Sequence, residues 1–297
     1  MSNSTSVKQA GKNSNSAKII KVLIIAGICA VIVFAAYALL FMPLGNPPSW
    51  IASVRQAFFA SAFWIDFENN FITDDRYMYI VKGLGVTFEV TFFAVLLGIV
   101  LGVIVALVRS SYDTLKEELK GGFGKAVLYF FYKLCGIYLT VIRGTPVVVQ
   151  LMIIYFVIFA SSNNKILVAV LAFGINSGAY VAEIIRGGIM SVDKGQFEAG
   201  RSLGFGYVRT MAFIIVPQAF KTVLPALANE FIVLIKETSV SGYVGLQELT
   251  KGGDIIRSRT YSAFMPLIAV AIIYLVIVMF FSWLVSLLER RLKNSER

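Results

Sequence analysis

Apolar runs long enough to cross a bilayer recur along this chain, and polar, mostly basic connectors separate them. A helix needs about 20 consecutive apolar residues to span the hydrocarbon, so this spacing excludes a soluble fold with a single interior. The 297 residues are 58% hydrophobic and only 15% charged, and the mean hydropathy is +0.78. A polytopic, all-α membrane protein is the class that such numbers fit.

Six crossings are expected, over Ile19–Met42, Tyr77–Val108, Thr145–Ser161, Ile166–Ile185, Gln218–Val240 and Phe264–Leu288. Residues 1–18 form a polar tail with Lys8, Lys12 and Lys18, and the run after it is too long for a signal-peptide core, so it reads as a retained anchor. Residues 43–76 read as an external loop, with an amphipathic interfacial helix over Ile51–Ile65. Ala126–Ile142 is expected to be interfacial, not a crossing, because Lys133 sits near its middle and Tyr129, Tyr132 and Tyr138 suit a headgroup zone. Most lysines and arginines then fall on one side, leaving only Arg55, Arg76, Lys165, Lys251, Arg257 and Arg259 on the other. By the positive-inside bias both termini are cytoplasmic. The +10 net charge is thereby accounted for without nucleic acid.

The composition also removes chemistry. No histidine is present, which rules out histidine-based triads and histidine-ligated zinc or haem. Cys29 and Cys135 stand alone without a CxxC spacing and read as small buried hydrophobes. Gly121-Gly122-Phe123-Gly124-Lys125-Ala126 lacks both the first glycine and the Ser/Thr of a phosphate loop. No catalytic residue, metal site or bound cofactor is expected in this chain.

One polar, glycine-punctuated island lies between the apolar runs: Glu198-Ala199-Gly200-Arg201-Ser202-Leu203-Gly204, nine residues, then Ile214-Ile215-Val216-Pro217. A short helix over Phe197–Leu203 with an acidic first turn suits the helix dipole. Gly204 or Gly206 would allow the turn after it. A second short helix would present Val208, Met211, Ile214 and Ile215, and Pro217 would end it and start the next span. This stretch resembles the EAA loop of ABC importer permeases, with Gly200 in place of the usual second alanine and Val216 in place of leucine. The resemblance implies that residues 193–217 are a cytoplasmic loop docking into an ATPase subunit, with Glu198, Ala199, Gly200, Gly204 and Pro217 transmitting force.

Further stretches resemble the branch of that family that carries polar amino acids. They are Arg143-Gly144-Thr145-Pro146 with Gln150, Asn176-Ser177-Gly178-Ala179-Tyr180 with Glu183 and Arg186, Leu224-Pro225-Ala226 with Asn229-Glu230, and Lys236-Glu237-Thr238-Ser239. The resemblance covers about residues 80–292, taken as a permease domain over 77–292, and implies a five-helix core paired with a second permease subunit, the same chain or a related one. It also implies separate ATPase subunits that bind ATP and Mg, an extracytoplasmic amino acid binding protein, and a place in the bacterial cytoplasmic membrane. Polar groups inside a bilayer are costly and face a bundle interior or a watery cavity. Gln150, Asn176, Ser177, Asn229, Glu230, Glu237 and Thr238 are therefore candidate pathway residues, interhelical hydrogen bonding being the competing account of each. Glu183 and Arg186 read as an ion pair near one span end, and Pro225 as a helix breaker. An ion-gradient-driven transporter or channel without an ATPase would use the same polar groups. Such folds often carry inverted repeats, and none is evident here.

Overall fold

The computed structural model describes residues 48–116 and 122–294, and among them every regular element is helical. The expected tail over 1–18 and anchor over Ile19–Met42 lie outside the described residues. A first unit ends at Glu68 and a second runs from Asn69. In the first, helix α1 (Ser49–Phe59) and helix α2 (Ala62–Phe67) replace the single helix expected over Ile51–Ile65. The break falls at Ser61, whose hydroxyl caps α2 by accepting from the Trp64 N–H at 3.2 Å. Phe58, Phe59, Trp64 and Phe67 pack ring against ring around that corner.

In the second unit five helices among the described residues are long and apolar enough to cross a membrane: 77–114, 123–144, 165–190, 207–244 and 264–292. Helix α3 (Tyr77–Leu115) and helix α6 (Lys165–Met190) form the spine. Their seam is built from glycine on both sides. A Cβ on Gly98 would stand 3.0 Å from Ser177 Cβ, and one on Gly102 would stand 2.4 Å from Val181 Cγ1. From α6, Gly174 receives Leu97 and Gly178 receives Leu101 in the same way. Small residues let helix backbones approach closely where lipid offers no hydrophobic drive between them. The Gly98-x-x-x-Gly102 spacing thus serves packing within the chain.

The largest difference from the sequence expectation lies between α3 and α6. The helix inside Thr145–Ser161 is only α5, Val147–Ile153 with one π turn over Ile154–Ile158. At 1.5 Å per residue it is about 18 Å long, well short of the hydrocarbon thickness. The preceding helix α4 (Phe123–Gly144) is 22 residues long. Its Tyr132 stacks on Tyr112 at 4.3 Å, and its Leu139 packs with Val105, Ala179 and Ala182. Its Tyr138 hydroxyl donates to the Ile175 carbonyl at 2.6 Å. Helix α5 takes over from there, with Leu151 and Val147 joining Phe173, Val90 and Ala169 in the main core cluster. Both pieces pack on α6, α4 over residues 175–183 and α5 over residues 169–176, with the chain broken between them at Gly144-Thr145-Pro146. Lys133 and the tyrosines belong to α4, which is by length and composition able to cross on its own.

Helix α7 (Lys194–Ser202), helix α8 (Tyr207–Thr210) and helix α9 (Val216–Glu237) follow. Helix α10 (Leu249–Thr260) lies between two of the expected crossings, and helix α11 (Phe264–Asn294) is the last described element. The buried Glu248 carboxylate caps α10, accepting from the Thr250 and Lys251 N–H groups at 2.7 Å each. Thr87 Oγ1 accepts from Leu249 N at 3.2 Å and so ties α10 to α3. Lys165 Nζ donates to the Gly245 carbonyl at 3.2 Å, which places the start of α6 and the turn after α9 at one end of the bundle. The α7–α8 loop caps the opposite end, where α6 finishes.

Candidate functional site

The Glu198–Pro217 island folds as two short arms meeting at a left-handed residue. Helix α7 starts earlier than expected, because Asp193 caps it by accepting from the Gly195 N–H at 2.6 Å. Glu198 is therefore in the second turn, and the acidic first turn expected from sequence is absent. The exit is a Schellman turn: the Gly204 N–H bonds to the Arg201 carbonyl at 2.8 Å and the Phe205 N–H to the Gly200 carbonyl at 3.0 Å. Gly204 has φ +79°, so it is the glycine that makes the turn, whereas Gly206 has φ −72°. A side chain at Gly204 would meet nothing within 4 Å, so only its backbone conformation demands glycine.

Gly200 is demanded by space. A Cβ there would lie 2.7 Å from Thr210 Cγ2 and 3.1 Å from Ile214 Cδ1, so the arms touch at that point. Below it Met211, Ile215, Ala219 and Ile189 form a small core, with Phe197, Tyr207 and Ile214 packed around it. Gln218 Nε2 bridges back to Gln196 Oε1 at 3.3 Å. Of the four residues expected to be presented by the second arm, Met211 and Ile215 are buried and Ile214 is half-buried. Val208 is exposed at 76% and Leu203, at the end of the first arm, at 71%. Glu198, Ala199 and Pro217 are also exposed.

Pro217 does not end a helix. The run from Tyr207 to Val244 is continuous over 38 residues, with a π turn at Met211–Ile215 immediately before the proline. A proline has no N–H to donate and crowds the carbonyl four residues back, and the wider turn accommodates both. Pro225 likewise sits inside α9 without breaking it. The loop thus joins α9 without a break in the helical run.

Among the candidate pathway residues, Gln150, Asn176, Ser177, Glu230 and Thr238 are buried, Glu237 is half-buried and Asn229 is exposed. Two pairs meet. Asn176 Nδ2 donates to Gln150 Oε1 at 2.9 Å, and Ser177 Oγ donates to Glu230 Oε1 at 2.8 Å. Adjacent residues of α6 thereby bind α5 on one side and α9 on the other. Gln150 also closes the break in the crossing, its amide donating to the Ile142 carbonyl at 2.7 Å and to Thr145 O and Oγ1 at 3.0 and 2.8 Å. It supplies donors to helix-end carbonyls that have no intrahelical partner. Thr238 bonds only locally, to the Ile235 carbonyl. Glu237 and Asn229 stand apart from both pairs.

Glu183 and Arg186 do pair, at 2.9 Å, and Arg109 and Arg143 approach the same carboxylate at 3.9 Å each. This wider cluster and the Glu248 cap escaped sequence reasoning. Asp193 could have been found, as an acidic residue just before a helical run. Among the described residues no cluster of metal-ligating side chains occurs.

Comparison with known proteins places this architecture. The profile of the family described as binding-protein-dependent transport system inner membrane component matches residues 127–294. The glutamine transport system permease protein GlnP of Escherichia coli strain K12 is 42% identical over 161 residues, covering 53% of this chain and 74% of that one. The arginine transport system permease protein ArtQ of Bacillus subtilis strain 168 is 39% identical over 169 residues, covering 56% and 77%. A crystal structure of an amino acid ABC transporter with histidines superposes with TM-score 0.64 at 42% identity, over 74% of this chain and 98% of that one. An inward-facing MetNI methionine ABC transporter shares the fold alone, with TM-score 0.61 at 18% identity over 72% of this chain and 96% of its own. With more than half its length matched, the chain belongs to the binding-protein-dependent transport system inner membrane component family.

Proposed function

We propose that this chain is the multi-pass permease subunit of an ATP-driven ABC importer for polar amino acids in the bacterial cytoplasmic membrane. The observation that carries the reading is the α7–α8 loop: a braced two-arm unit that exposes Leu203 and Val208 and continues without a break into the helix bearing Glu230. An exposed apolar pair at the tip of a polar loop is a docking surface for a partner protein. The partner is an ATPase on a separate chain that binds ATP and Mg, and the loop and both termini face the cytoplasm. ATP-driven closure of the ATPases moves the α7–α8 unit, and α9 carries the movement to the Ser177–Glu230 contact. A second permease subunit completes the pathway, and an extracytoplasmic binding protein delivers the amino acid. Glu198, Ala199, Gly200, Gly204 and Pro217 are the coupling residues.

Asn229 and Glu237, which are not used up in the buried pairs, are the side chains best placed to meet substrate. The glutamine and arginine named for the relatives share an α-ammonium and α-carboxylate and differ in side-chain charge, so the class is polar amino acids. Reconstitution in liposomes with the ATPase and binding protein tests this. Uptake of labelled glutamine or arginine that requires internal ATP is expected. Uptake driven by an ion gradient without ATP would overturn the reading.

A further inference from the structure

Close to the loop end of the bundle, helices α3 and α4 leave an open cavity of about 440 Å³ whose lining includes Arg109, Tyr132, Lys133, Gly136 and Thr140. Its chemistry is two-sided. At its polar rim stand Arg109 and Lys133; Arg109, Arg143 and Arg186 share the single Glu183 carboxylate, Lys133 adds a fourth cation along α4, and Asp113 follows one turn along α3. Arg109 sits over the Tyr132 ring, its Cζ 5.4 Å from the ring centroid, and its Nε is buried without a hydrogen-bond acceptor. Lys133 rests over Tyr129 at 5.4 Å. On the other side the same α4 face continues into exposed Leu134, Ile137 and Val141, and its span is the least covered of the five, with 6% of its central window buried. Between rim and apolar face, a Cβ on Gly136 would meet nothing within 4 Å, so the glycine leaves the floor open.

We infer that this cavity binds an anionic phospholipid, with its phosphate against Arg109 and Lys133 and an acyl chain along the groove above Gly136. Three features converge on that ligand. Surplus positive charge with an unfilled donor seeks an anion. Tyrosines mark the headgroup level of a membrane protein, and basic pockets between spans at that level suit acidic headgroups. The apolar continuation fits a tail, which a free anion lacks. A second copy docked two-fold through this patch would set the same cations against each other, because a two-fold interface joins a surface to itself. The inference requires only that the chain spans a membrane, and so stands apart from the transport reading.

The test is native mass spectrometry of the purified complex from nanodiscs containing phosphatidylglycerol and phosphatidylcholine. Retention of phosphatidylglycerol in preference to phosphatidylcholine is expected. Lys133→Ala, an exposed change, should weaken it about fivefold, the effect of one surface cation on an acidic lipid. Gly136→Phe, which fills the groove and keeps every charge, should abolish it. Equal retention of the two lipids, or both variants behaving as wild type, would overturn the proposal. So would displacement of the lipid by millimolar glycerol 3-phosphate, which would mean that the tail contributes nothing. A disulfide between copies formed through Ile137→Cys would show a second chain covering the groove, and would overturn it as well.

Discussion

The α3–α6 seam and the α4–α5 crossing are both interhelical contacts in one bundle, yet they are held by opposite means. The seam has no side chain at its closest points: Gly98, Gly102, Gly174 and Gly178 bring backbone against neighbour across a long contact. The crossing is broken, thinly covered, and closed by one amide, that of Gln150, on the carbonyls of Ile142 and Thr145 and on Asn176. A seam made by absence of side chains cannot slide without clash and acts as a fixed spine. A break closed by a few hydrogen bonds can change partners at modest cost. The moving parts of a transporter are expected on the second kind of contact, and the α7–α8 loop stands on α9, which reaches the spine through the single Ser177–Glu230 bond among its polar contacts.

Substitutions can break this contrast. The largest effect is expected from Gly102→Leu, because even the first added carbon would stand 2.4 Å from Val181 Cγ1. Overpacking of this kind costs about 3 kcal/mol, and the solubilised variant should lose its monodisperse peak and its thermal unfolding transition. Next is Gln150→Leu, which leaves the Asn176 amide and two helix-end carbonyls unpaired at a cost of about 1–3 kcal/mol. Adding Asn176→Leu should recover part of that loss, a coupling that a double-mutant cycle on unfolding temperature would measure. Strict additivity would mean that the amide pair is not one unit.

Gly204→Val comes third. The left-handed backbone costs about 1–2 kcal/mol for such a residue, while the absence of neighbours around Gly204 leaves the bundle itself untouched. ATP-driven uptake should fall with little change in unfolding temperature, and Gly204→Asn should restore most of it. The smallest effect concerns Asp254, whose carboxyl is held below the usual range first by hydrogen bonds from Lys251 and then from Arg257. Its contribution is therefore present above about pH 4 and lost as pH falls through the depressed value. The group is partly exposed, so the effect is below about 1 kcal/mol. Thermal scans of Asp254→Asn should show a shallower acid-side decline than wild type.

Much of this was legible in the sequence, and the reasons differ by region. Apolar run length is a direct physical requirement of the bilayer, so the starts of α3, α6, α9 and α11 were placed to within two residues, while three of the helices run five to seven residues past the expected ends. The loop was legible from the spacing of Glu198, Gly204 and Pro217, whereas the reasons for its glycines were not: Gly200, a departure from the family pattern, is required by space and Gly204 by φ. The broken crossing was not legible, because hydropathy reports how apolar a segment is and not where along its neighbours it packs. Lys133 and three tyrosines gave α4 an interfacial signature, yet one of those tyrosines, Tyr138, and its neighbour Leu139 pack against α6. Proline misled twice: Pro217 and Pro225 both lie inside a helix that a local rule ends, since a π turn absorbs the first. The pairings Gln150–Asn176 and Ser177–Glu230 join residues far apart in sequence, and composition cannot assign partners.

Docking of an ATPase on the exposed Leu203 and Val208 is the step on which the proposed function turns. A photoreactive amino acid at Leu203, in the membrane-embedded complex, tests it most directly. The account predicts a crosslink to a separate chain carrying a phosphate-binding loop, weakened in the Gly204→Val background. No crosslink to such a chain, from a preparation that still moves amino acid down an ion gradient, would contradict it.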